Sequence, residues 1–197
     1  PYSLQWATSN RVLTITASGT GQLWSMRAET VQSGTSTMPG GIQKAITSAS
    51  GEWVALHLGD KGVIAEPRSA GATARRIVSA RKDVVDIVFR PGTHRLFVAD
   101  RTLQIKEWDL DGGRTEPTEW TVPEVPAGLC FGPTGQWVAC ATRDGQLQIR
   151  GRMTDAPSGA GGGPIECETR LPITGPIAVQ MRSSPDGRSL LVGVSPE

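Results

Sequence analysis

Ser50-Gly51-Glu52-Trp53-Val54-Ala55 comes back 84 residues later as Thr134-Gly135-Gln136-Trp137-Val138-Ala139, with four of the six positions identical. Halfway between, Pro91-Gly92-Thr93-His94-Arg95-Leu96-Phe97-Val98-Ala99 has the same turn-then-strand shape with one extra residue. Thr8-Ser9-Asn10-Arg11-Val12-Leu13-Thr14 occupies the slot upstream, and Ser184-Pro185-Asp186-Gly187-Arg188-Ser189-Leu190-Leu191-Val192 fills one downstream. The last arrives about ten residues late because Asp155 to Pro164 inserts a Gly-rich loop. A unit of 42 residues recurring through a chain of 197 marks a repeat architecture in which neighbouring units bury one another.

The units run roughly over 1–40, 41–82, 83–125, 126–175 and an incomplete 176–197. No helical period lasts three turns; short Val, Ile, Leu, Thr and Trp runs recur instead, bounded by turn residues, which is the pattern of antiparallel strands. The third unit reads Val84–Phe89, Arg95–Ala99, Leu103–Trp108 and Thr118–Val122. The second reads Gln43–Thr47, Trp53–Leu58, Val63–Glu66 and Arg75–Val78, and the fourth Gly128–Phe131, Trp137–Ala141, Leu147–Arg150 and Ile165–Arg170. Asp60-Lys61-Gly62 and Arg143-Asp144-Gly145 fall between second and third strands, where glycine supplies a positive φ. First strands need apolar residues on both faces, and Val84–Phe89 conforms except at Asp86.

This pattern resembles the WD40 β-propeller family, whose blades have this period. Trp108-Asp109 is a Trp-Asp pair at the end of a third strand, Leu23-Trp24-Ser25 keeps only the Trp, and the other units have Ala65-Glu66 and Arg150-Gly151. Ser-Pro-Asp-Gly-Arg at 184–188 matches the family's first hairpin. The Gly-His dipeptide before the first strand is absent, so the family's Asp-His-Ser/Thr-Trp network does not carry over. The resemblance implies an all-β propeller of about four and a half four-stranded blades, part of a larger one. It makes Trp24, Trp53, Trp108, Asp109 and Trp137 structural, with Lys106 laying its stem over Trp108.

Lys and Arg number 20 against 19 Asp and Glu, a balance that excludes binding driven by phosphate neutralisation. A composition 38% hydrophobic and 20% charged is that of a folded globular chain. No apolar run approaches the roughly 20 residues that span a bilayer, and neither nucleic acid nor membrane is an expected partner. Cys130, Cys140 and Cys167 lack C-x-x-C spacing and read as reduced, buried thiols of a cytoplasmic protein. His57 and His94 have no carboxylate or cysteine at ligand spacing, so no metal site is read. No Gly-x-Ser-x-Gly elbow accompanies the serines, and Gly159-Ala160-Gly161-Gly162-Gly163-Pro164 lacks the Gly-Lys-Ser/Thr of a phosphate loop. No cofactor is expected. Arg75, Arg76, Arg81 and Lys82 form the densest cationic patch, read as charges blunting an outer strand or as a site for an acidic partner. Trp120, on an outer strand, is the candidate aromatic of a contact surface.

The expected function is a non-catalytic protein-interaction, scaffold or sensor module of a larger protein or complex. By resemblance its setting is either the repeats of bacterial signalling NTPases or a eukaryotic scaffold subunit. The alternative is a propeller hydrolase or lyase with a site in the central tunnel, for which first strands offer Lys44, Asp86, Gln180 and Arg182. Tyr2–Ala7 opens the first unit, while Ile177–Arg182 and Ser189–Val194 begin a fifth. The edge of Ser189–Val194 is therefore expected to pair with strands of the same polypeptide or of a protein partner, because proteins avoid long open edges.

Overall fold

The hairpin that opens each unit after the first is closed by one backbone bond between residues five apart. In the computed structural model Ser48 N donates to Trp53 O at 2.9 Å, Arg90 N to Arg95 O at 2.9 Å, Gly132 N to Trp137 O at 3.0 Å and Ser184 N to Ser189 O at 2.9 Å. These bonds recur at intervals of 42, 42 and 52 residues, so the sequence repeat is a structural one. Gly51, Gly92, Gly135 and Gly187 carry the turns at φ 73°, 71°, 69° and 70°, a region where a Cβ would crowd the carbonyl. The structure describes residues 3–8, 11–15, 21–27, 30–36, 41–68, 76–79, 83–112, 116–152, 164–170 and 177–196, with the strands before residue 37 described by their backbone. The inserted loop, apart from Pro164, lies outside them, as do Arg75, Arg81 and Lys82.

Every described sheet is a meander of strands in sequence order. The first comprises β1 (Ser3–Thr8), β2 (Arg11–Ile15), β3 (Gly21–Arg27) and β4 (Thr30–Ser36). The second comprises β5 (Lys44–Thr47), β6 (Trp53–His57), β7 (Val63–Pro67) and β8 (Arg76–Ser79). β9 (Val84–Phe89), β10 (Arg95–Asp100), β11 (Gln104–Asp109) and β12 (Thr118–Thr121) make the third. β13 (Pro126–Phe131), β14 (Trp137–Thr142), β15 (Gln146–Arg152) and β16 (Pro164–Arg170) make the fourth. The last has two described strands, β17 (Ile177–Ser183) and β18 (Leu190–Pro196). Among the described residues the only helical element is a 3₁₀ turn at Gly59–Lys61. Trp53 and Trp137 start equivalent second strands.

The chain divides into two compact units, Pro1–Val84 and Val85–Glu197. In the first, Ile42, Ala45, Val54, Leu56, Leu58 and Ile64 form the core of the second sheet. In the second, period-two alternation sends successive residues of the fourth sheet into different seams. Leu129 and Cys140 join Phe97, Ala99, Ile105 and Val122 of the third sheet. Cys130, Ala139, Ala141 and Leu147 face Met181, with Val179, Leu190 and Val192 packed alongside. Both faces of the sheet are covered, which is why it reads as an apolar run with small residues at its centre.

Three sequence expectations change in detail. The third strand of the third sheet begins at Gln104, because Leu103 occupies the turn with φ 65°. Leu103 stands 42 residues before Gly145 (φ 87°), at the position where the fourth sheet uses glycine. Its side chain stays packed on the Phe97 cluster, and that burial offsets a left-handed backbone costing roughly 1–2 kcal/mol. Cys167 is not buried but exposed on β16, the outer strand of its sheet. Asp86, the one polar residue expected to be out of place in a first strand, has a structural role described below.

Candidate interaction surface

The seams decide which faces are closed. Between the third and fourth sheets, Asp86 Oδ2 accepts the N–H of Leu129 at 2.8 Å while its Oδ1 accepts that of Ile87 at 2.8 Å. One carboxylate thus ties the first strand of one sheet to that of the next. Arg90 Nε donates to Gly135 O at 2.9 Å across the same seam. Replacing Asp86 with alanine leaves the Leu129 N–H without its acceptor. The expected loss is about 1–3 kcal/mol in equilibrium unfolding, and Asp86→Asn, which keeps an acceptor, should lose less.

The aromatic residues sit on or beside these seams. Trp137 is half-buried against the seam to β17 and β18, and its ring lies over Gly132, where an added Cβ would be 2.4 Å from Cε2. Trp108 is half-buried on β11 opposite Leu96, and its buried Nε1 has no hydrogen-bond partner among the described residues. Asp109 caps the following turn, its Oδ1 accepting from Gly112 N at 2.9 Å and Asp111 N at 3.2 Å. Lys106, on the face of Trp108, ends in an ion pair with Glu119 at 3.0 Å. Trp53 is half-buried, and its backbone N–H donates to Ser48 Oγ at 3.1 Å. Trp24 lies on β3, described by its backbone. Trp120 is half-buried, with its ring 5.4 Å from that of Phe97, so much of it belongs to the core cluster. Arg76 lies on β8, described there by its backbone.

Titratable groups elsewhere are engaged in structure. His94 Nδ1 meets Asp111 Oδ2 at 2.6 Å, Arg95 Nη1 meets Glu107 Oε1 at 2.8 Å, and His57 is buried in β6. Burial raises the thiol of Cys130 and pushes that of Cys140 up to about 12, which disfavours the thiolate at both. The Thr142 hydroxyl holds the Asp144 carboxyl below its usual value. Lys44 is half-buried on β5, whereas Gln180 and Arg182 are exposed on β17.

Among the described residues, the face of β17 and β18 turned away from the fourth sheet is exposed. Antiparallel register sets Arg182 beside Leu191 and Gln180 beside Gly193, and all four are exposed. Leu191 is 71% exposed, while its neighbours Leu190 and Val192 are half-buried in the seam. Its counterparts by repeat spacing, Ala55, Phe97 and Ala139, are exposed by 0%, 4% and 0%. Sequence reasoning treated Ser189–Val194 as one open edge; the alternation shows Leu191 to be exposed, while Leu190 and Val192 stay in the seam. It missed Arg182 as part of this face. The available signal was the 52-residue step back from Arg182 to Cys130, a seam residue.

No protein-family model matches the chain, and no curated protein matches it either. Solved structures do. Hsv2p of Kluyveromyces lactis superposes with a TM-score of 0.67 at 16% identity, over 98% of this chain and 58% of that one. The Cps50 (Swd1) beta-propeller domain of Myceliophteria thermophila gives 0.67 at 16% identity, over 96% and 60%. A second Kluyveromyces lactis Hsv2 structure gives 0.63 at 15%, over 94% and 56%. The fold is therefore that of a β-propeller, seen in part. This chain spans less than two thirds of the length of those it matches.

Proposed function

We propose that the chain is part of a non-catalytic, WD40-type propeller that serves as a scaffold or sensor module and binds protein through its exposed faces. One observation carries this reading: a leucine 71% exposed at a position buried in the three preceding sheets. Leaving a large aliphatic side chain uncovered on a flat sheet face is unfavourable, and a surface of a protein partner or of the same polypeptide would cover it. Resemblance of the fold to propellers supports the same role. The free cysteines, two of them buried, fit a reducing compartment.

Sedimentation velocity on the full chain tests it. The wild-type chain should self-associate as concentration rises, because Leu191 presents a large aliphatic side chain to solvent. Leu191→Lys should abolish the association and leave the thermal unfolding midpoint within a few degrees, since an exposed side chain is replaced. A wild-type chain that stays monomeric at all concentrations, indistinguishable from Leu191→Lys, would overturn the reading.

A further inference from the structure

We draw no further inference here: the strongest candidate, the half-buried rings of Phe131 and Trp120 that flank Phe97 along the seam of the third and fourth sheets, carries nothing because nothing in the structure shows what covers them.

Discussion

Replacing Gly132 with alanine is expected to destabilise the protein by about 3 kcal/mol, at the upper end of what overpacking costs. The new methyl would lie 2.4 Å from Cε2 and 2.5 Å from Nε1 of Trp137, far inside van der Waals contact. The indole has little room to retreat. It is packed against the seam with Val179, Leu190 and Val192, and the turn of the next sheet comes close, a Cβ on Gly187 falling 3.9 Å from Nε1. Moving the ring therefore disturbs two hairpins at once. The denaturant midpoint should fall with an unchanged slope. In a Trp137→Ala background the same substitution should cost far less, because its clash partner is gone, and a cycle of the four proteins measures that coupling. Additive effects would mean that the ring does not lie over Gly132.

Trp108→Ala should cost about 3 kcal/mol, the lower end of the range for removing a large aromatic, because the ring is half-buried. Trp108→Phe should behave differently. The buried Nε1–H has no acceptor among the described residues, and an unsatisfied donor already carries a penalty of roughly 1–3 kcal/mol. Phenylalanine keeps much of the contact with the sheet and removes that donor, so its net cost should stay below about 1 kcal/mol. Equilibrium unfolding of both variants checks the pair. A phenylalanine variant as unstable as the alanine one would show that the N–H is satisfied in solution.

Strand placement was legible because each sheet after the first repeats one closing bond and one glycine turn, and that turn leaves a regularly spaced Gly in the sequence. Expected strand ends fell close to those observed: Trp137–Ala141 became Trp137–Thr142, and Arg75–Val78 became Arg76–Ser79. Leu103 was misread as strand because leucine is ordinary in strands and rare at positive φ. Only its offset from Gly145 betrays the turn. Cys167 was grouped with the buried cysteines because composition cannot distinguish an outer strand from an inner one. The open face was half legible. Alternation along Ser189–Val194 separates two faces, but which face is covered depends on sheets far away in sequence, and so does the meaning of Asp86.

The described sheets are all meanders, joined strand to strand by short-range connections. Such local pairing makes each sheet quick to assemble, leaving the seams to form as the slower, later step. The order of opening should run the other way. Among the described residues β17 and β18 pack on the fourth sheet by one face, whereas β13 and β14 are packed on both, so the amides of β17 and β18 should exchange at lower free energy than those of β13 and β14. Any surface that covers Leu191 would then act as a clamp on fluctuation: its arrival would register first as slowed exchange in Ile177–Pro196, before any change in the rest of the protein.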